Sequence, residues 1–394
     1  MKLLRVYFDH LRMFEDGKFE IDLFATDRVP STDESASELS RPIYSNNILA
    51  LAGINASGKT TALNLIELAC RIVSGSPING GWLPASVTSL FDGCPTFRCL
   101  LWNDGGLYFL ESTLVTEVSP AENGEYGLGF ADETVWRVPL PAVRKSTLSL
   151  SWDELKEGAR SLYQRTELDP AYEILASTDV SIARLVISRE QGRPSRLTVV
   201  RERGFELRQA TQGLDDILRV FDSRIDHLEV LDSGRAFSLK FFDEEPMLLS
   251  REGLDEVLSS GTIRGIALVM RAITALRDGG YLLVDEIENH LNRQLVNVVV
   301  DLFAASATNP RAATIVFTTH YPQLLDHIHR KDNVFFLVRG ESRKSQVIKY
   351  SDRVKRIENK KSEVFVSNYV KGTAPRFTDV RALRSHVVDV VAHG

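Results

Sequence analysis

Between the apolar run Ile48–Ala52 and a stretch whose apolar residues fall at 62, 65, 66, 69, 72 and 73 lies Gly53-Ile54-Asn55-Ala56-Ser57-Gly58-Lys59-Thr60. These residues fit G-x-x-x-x-G-K-[ST] at every fixed place. A buried strand, a glycine-bearing turn and an amphipathic helix in that order commit the chain to an α/β fold of the P-loop NTPase kind. The glycines let backbone N–H groups surround an anion. Lys59 reaches the β- and γ-phosphates of a nucleotide, and the Thr60 hydroxyl ligates Mg²⁺. The candidate phosphate site is therefore Gly53, Asn55, Ala56, Ser57, Gly58, Lys59, Thr60 and Thr61.

Such a loop needs a second apolar strand ending in an acid. Tyr281-Leu282-Leu283-Val284-Asp285-Glu286 supplies one, with two acids in tandem. Asp285 would hold the Mg²⁺ water shell and Glu286 would act as the general base on the attacking water. The tandem acid favours an ATPase over GTPases and most kinases, so the expected cofactors are ATP and Mg²⁺. Thr60 and Asp285 would sit at the metal.

Upstream of that strand, Leu258-Ser259-Ser260-Gly261-Thr262 opens a helix expected over Ile263 to Leu276. A serine and a glycine at a helix N-terminus form an anion site, and the same residues serve equally as an ordinary cap. Downstream, Ile315 to His320 reads as a strand with a polar tip. His320 there can contact a γ-phosphate and position water, or serve as a structural group. The order and spacing of these pieces after the phosphate loop favour the functional reading of Ser259, Ser260, Gly261 and His320.

Composition bounds the rest. The 394 residues carry a net charge of −6, which counts against a general nucleic-acid coat while leaving room for a local basic patch. At 43% hydrophobic and 25% charged the chain is not a mainly disordered one. No run approaches the length of apolar sequence that crosses a bilayer, and residues 1–12 lack a signal peptide's apolar core. Cys70, Cys94 and Cys99 are too scattered for a disulfide framework. Cys94 and Cys99 have no companions for zinc. The expected setting is cytoplasmic, without a membrane partner.

Strands are expected at Leu3–Phe8 and Lys18–Phe24, an exposed loop at Asp27–Ser40, a hairpin at Phe97–Leu110 and a helix from Trp152 to Tyr163. In the C-terminal third, strands alternate with helices, the pattern of a mainly parallel sheet. Four segments follow: an N-terminal lobe at 1–149, an inserted helical and Arg-rich subdomain at 150–224, a C-terminal lobe at 225–350 and a tail at 351–394. Residues 181–210 hold Arg184, Arg189, Arg193, Arg196, Arg201, Arg203 and Arg208 against Glu190, Glu202 and Glu206. That stretch reads as a solvated strand face, a protein-docking surface or a nucleic-acid contact. The tail, with Lys360-Lys361, Phe365, Tyr369 and Phe377, breaks at Gly372–Pro375 and reads as a packed helix or an effector contact.

Together, Gly53–Thr60, Leu258–Thr262, Asp285–Asn292 and Thr318-Thr319-His320 resemble the ABC-type ATPase heads of the RecF/SMC/Rad50 branch. More narrowly, Asp285-Glu286-Ile287-Glu288-Asn289-His290-Leu291 and the Gly-x-Asn-x-Ser-Gly-Lys-Thr loop resemble the OLD-like AAA15/AAA21 ATPases, as does the first strand with Phe8, Leu11, Arg12 and Phe14. The resemblance covers roughly 1–115 and 225–340. It implies a two-lobed head with an antiparallel β lobe, and ATP held between two heads of a homo-oligomer. The Ser259–Gly261 turn would close on the γ-phosphate of the other subunit, and Glu288–Asn292 would be the loop crossing that interface. It also implies slow hydrolysis used as a switch over a separate nuclease or toxin, as in phage-defence systems. In relatives the first-strand region contributes to adenine binding, which makes Arg12 and Phe14 candidates alongside a packing role. The chain departs from the transporter ATPases, since no glutamine lies between Gly53 and Gln164. Asn292 stands where the interface loop usually has aspartate. Too little sequence follows Gly340 for a nuclease domain, so the effector is expected to be another protein. A RecF-like DNA-maintenance ATPase is the alternative.

Overall fold

The computed structural model describes residues 1–80, 85–118, 126–139, 143–167, 178–202, 214–289, 291–355, 359–374 and 377–393. The chain forms two compact units, residues 1–197 with 318–394, and residues 198–317. Segment 150–224, expected as a separate insertion, is shared between them.

In chain order the first unit contains β1 (Lys2–Phe8), β2 (Phe19–Asp22), β3 (Ala36–Ser40), β4 (Ile43–Asn46), β5 (Ile48–Ala52), β6 (Thr96–Asn103), β7 (Gly106–Val118), β8 (Tyr126–Val138) and β9 (Arg160–Gln164). The second contains β10 (Val199–Arg201), β11 (Ile225–Leu231), β12 (Ala236–Phe241), β13 (Met247–Ser250), β14 (Tyr281–Val284) and most of β15 (Thr314–Thr319). The first unit resumes with β16 (Val334–Arg339) and β17 (Ser345–Lys349). Among the described residues, helices of seven or more residues are α1 (Lys59–Ser74), α2 (Ala183–Gln191), α3 (Leu214–Phe221), α4 (Arg251–Val257), α5 (Ser260–Asp278), α6 (Arg293–Ala304) and α7 (Phe377–His393).

The first unit has an antiparallel sheet in the order β2-β1-β6-β7-β8-β9. Its β6–β7 hairpin closes where the sequence predicts. Asp104 and Gly105 both take positive φ, at 43° and 80°, which matches the right-handed twist of the flanking strands. On one face Phe109 stacks on Trp136 and Trp152, at centroid distances of 5.0 and 5.7 Å. The Arg5 guanidinium lies 4.4 Å from the centre of the Trp152 ring.

All five residues of β5 are buried, as its unbroken apolar run requires. β5 pairs in parallel with β16, Ala50 facing Val334 and Ala52 facing Phe336, and β16 turns back antiparallel into β17. α1 leaves the end of β5 and stops at Gly75, whose φ of 64° makes a left-handed cap.

The second unit pairs β10, β14 and β15 in parallel, Val199 facing Tyr281 and Tyr281 facing Thr314. An antiparallel meander, β11-β12-β13, packs with α3, α4 and α5 around Leu218, Phe237, Leu239, Leu254 and Ile266.

Two local expectations change. The polar stretch 27–40 is an exposed loop only in part, because Ala36–Ser40 pairs with β4. The stretch is anchored at two points: the Asp33 carboxylate takes Arg330 at 2.8 Å, and the Asp27 backbone N–H donates to the Asp332 carboxylate at 2.8 Å. The helix starting at Trp152 ends at Glu157 with a Gly158 cap, and Arg160–Gln164 joins β8 instead. Of the Arg-rich stretch, Arg203, Glu206 and Arg208 lie outside the described residues, as do Pro375 and His290. Within the described part, Arg184 donates to Ser195 O, Arg193 pairs with Asp104, and Glu190 takes Arg137 and the Tyr108 hydroxyl. α7 exposes Phe377, Leu383, Val388 and Val391.

Candidate nucleotide site

The loop after β5 is held in a conformation that its glycines permit. Ala56 and Gly58 have φ of 59° and 100°, and Ser57 N–H donates to Ile54 O at 3.2 Å. Alternation of left-handed and ordinary conformations turns successive amides toward one concavity. The backbone N–H groups of Asn55, Ala56, Gly58, Thr60 and Thr61 have no acceptor among the described residues. Asn55, Ala56 and Thr60 are solvent-exposed. Exposed, unsatisfied donors at the start of a 16-residue helix are what an anion requires.

Lys59 is 6% exposed, and its Nζ donates to Gly53 O at 2.9 Å and Ile54 O at 3.0 Å. The ammonium is thus held over the loop by two carbonyls, a place from which a phosphate oxygen could recruit it. The glycines are sterically obligatory. A Cβ on Gly53 would lie 2.5 Å from Leu337 O, and one on Gly58 2.6 Å from Ser345 Oγ. The β16–β17 hairpin therefore forms the floor of the loop. Nothing in the local sequence signals Ser345, since it reaches Gly58 only through the pairing of β16 with β5.

Gly53 N–H donates to Thr319 O at 3.2 Å, which fixes the end of β15 beside the loop. His320 follows directly, partly exposed and edge-on to Tyr321 at 4.5 Å. It lines one cavity with Ile54 and Asn55. Arg12 forms an ion pair with Asp92 at 3.0 Å, both side chains exposed. Phe14 is 1% exposed and packs on Phe19. The segment does run next to the loop's floor, because Ser345 N–H donates to Met13 O at 2.7 Å.

In the second unit, β14 is fully buried and delivers Asp285 and Glu286 half-buried at its end. Glu286 has φ of 47°, an uncommon conformation for glutamate, and its carbonyl accepts the Asn289 N–H at 2.9 Å. The tight turn after β14 is thus built into the backbone. Asn292 caps α6, accepting from Leu295 N–H at 3.0 Å, a structural use for the residue found in place of aspartate. Ser259 caps α5, accepting from Thr262 N–H at 3.0 Å, while Ser260 and Gly261 form its first turn. Ser260 lines a cavity of about 410 Å³ with Arg251, Asp255 and Arg264. Arg264 and Arg271 reach Glu202 at 3.4 and 3.7 Å, fastening α5 to the end of β10. Nothing in the local sequence marks Glu202 for this contact.

No curated protein matches the sequence. Among solved structures, the SMC head domain from Thermotoga maritima is similar at 12% identity with a TM-score of 0.39, over 89% of this chain and 99% of that chain. Residues 120–326 match the profile of AAA_21, described as "AAA domain, putative AbiEii toxin, Type IV TA system". The matched span begins after the phosphate loop and takes in the Ser259–Gly261 turn, the strand-borne acids and His320. Because it extends over more than half of the chain, the chain belongs to the AAA_21 family.

Proposed function

We propose that this protein is an ABC-type ATPase that binds ATP with Mg²⁺ between paired heads and hydrolyses it slowly. In this reading it is a cytoplasmic sensor or scaffold controlling a separate nuclease or toxin in anti-phage defence. The observation carrying the nucleotide assignment is the set of exposed loop amides without acceptors, with buried Lys59 poised among them. Thr60 and Asp285 would hold the metal, which neutralises charge on the phosphates. Glu286 polarises the attacking water and His320 orients it beside the γ-phosphate. Ser259, Ser260 and Gly261 serve the γ-phosphate of a second subunit, since Lys59 already serves the one in its own.

The family description names a toxin of a toxin–antitoxin system. That supports a defence role, and it favours a second reading in which this chain is itself the toxic component. The RecF-like alternative, an ATPase of DNA maintenance, would show steeply salt-dependent DNA binding.

The test is recovery of Glu286→Gln from cells carrying the native locus, with ATP and Mg²⁺ present throughout. Turnover should fall by about 10²- to 10⁴-fold while ATP stays bound. A stoichiometric nuclease or toxin in the recovered complex would support the scaffold reading. Growth arrest by this chain alone would favour the toxin reading, and DNA without a protein companion the repair reading. Near-normal turnover removes Glu286 as the base. Ser260→Arg should spare ATP binding and block ATP-dependent pairing; normal hydrolysis by that variant rules out the two-headed site.

A further inference from the structure

The cavity beside the phosphate loop measures about 790 Å³ and lies wholly within the first unit. Its lining includes Ile54, Asn55 and His320 from beside the loop, Arg339 and Arg343, and Asp379 of α7. The two arginines flank the turn of the β16–β17 hairpin, the same hairpin whose Leu337 and Ser345 abut Gly53 and Gly58. Their backbone is consequently fixed relative to the loop. Both side chains are exposed, and neither has an ion-pair or hydrogen-bond partner among the described residues. Arg330, by contrast, is consumed by Asp332 and Asp33 at 2.6 and 2.8 Å. Two unspent guanidinium groups against the one carboxylate of Asp379 leave this concave surface with a positive field beside the loop. The volume falls within the range of ligand-sized clefts, roughly 300–1,000 Å³.

We propose that Arg339 and Arg343 are a cationic extension of the phosphate loop that contacts the terminal phosphate of a nucleoside triphosphate bound in the same subunit. This rests on the reading of Gly53–Thr60 as the nucleotide site. Lys59 and the loop amides serve phosphates that ATP and ADP share as well as the γ-phosphate, whereas the arginine contact is made to the γ-phosphate alone. The arginine pair therefore sets the preference for triphosphate over diphosphate. A planar guanidinium suits that task, because it can give two parallel hydrogen bonds to phosphate oxygens. Asp379 lines the same cavity and works in the opposite direction, opposing the anion and keeping the triphosphate from binding too tightly.

The experiment measures ATP and ADP dissociation constants by equilibrium dialysis with Mg²⁺ on the full chain. The variants are Arg339→Gln, Arg343→Asn and Asp379→Asn. Asn suits position 343, whose φ is 61°. Each arginine variant should lose about tenfold in ATP affinity with ADP affinity changed less than about twofold. Asp379→Asn should instead gain about two- to fivefold for ATP. Arg343→Lys should recover part of the loss, and the discrimination should shrink with added salt, neither of which a packing role would produce. An unchanged ATP-to-ADP ratio in both arginine variants overturns the proposal. Lys59→Ala tests the underlying site separately, since it should lose both nucleotides. If that variant keeps both, or the unaltered protein binds neither, the loop assignment and this proposal fall together.

Discussion

Replacing Gly58 by alanine should separate two costs that the phosphate loop imposes on its own chain. At φ of +100°, alanine pays backbone strain of about 1–3 kcal/mol. Its Cβ would also come within 2.6 Å of Ser345 Oγ and 3.2 Å of Ser345 Cβ, and Ser345 is 1% exposed with little room to retreat. Overpacking of that kind costs about 1–3 kcal/mol, giving a total of about 2–6 kcal/mol for Gly58→Ala. Ser345→Gly removes both contacting atoms, so in the double variant the packing cost should vanish and the strain remain. The cycle should show a favourable coupling of about 1–3 kcal/mol. All four tryptophans, Trp82, Trp102, Trp136 and Trp152, fall within 1–197, so urea unfolding followed by tryptophan fluorescence reports the unit that holds the loop. Additive effects within about 0.5 kcal/mol would refute the proposed contact. A Gly58→Ala cost below about 1 kcal/mol would refute the strain as well.

Two further outcomes are expected. A Cβ on Gly265 would lie 2.1 Å from Phe221 Cε1, so Gly265→Ala should destabilise α5 by about 1–3 kcal/mol despite the better helix propensity of alanine. A thermal melt by circular dichroism that rises instead would count against the close approach of α3 and α5. Burial lowers the Lys361 ammonium from 10.5 to about 8, where its Nζ donates to Ile328 O. Between those pH values the unfolded chain keeps a proton that the folded one has released, so this residue's contribution to stability rises with pH across that window. Lys361→Met should flatten that part of the stability profile; an unchanged slope between pH 8 and 10.5 would contradict it.

The loop from Gly53 to Thr60 is legible in the sequence because its chemistry is local: glycine conformation, a lysine at the helix start and an apolar strand before it all lie within a dozen residues. The acids after β14 are legible for the same reason. What the sequence hides is contact made at long range. Ser345 meets the loop, and Arg339 and Arg343 share a cavity with it, only because β16 pairs with β5, and no nearby pattern announces that pairing. The helix expected from Trp152 to Tyr163 stops early because β8 offers an edge to Arg160–Gln164, a tertiary gain that outweighs local propensity. Residues 36–40 look like loop by composition and become a strand because Tyr44 and Asn46 lie opposite them. The tandem acids were visible, but not the left-handed turn at Glu286, since nothing in Val-Asp-Glu-Ile demands it.

The pairing of β5 with β16 also sets a timetable for the making of this protein. The antiparallel sheet from β1 to β9 draws only on residues before 165 and can assemble while the chain is still being synthesised. The nucleotide loop cannot, because its neighbours at Thr319, Leu337 and Ser345 emerge long after it. At about 5–20 residues per second, the ribosome leaves the loop incomplete for roughly 15–60 s. Through that interval β5, five apolar residues with no strand yet available at β16, is a part of the nascent chain in need of shelter.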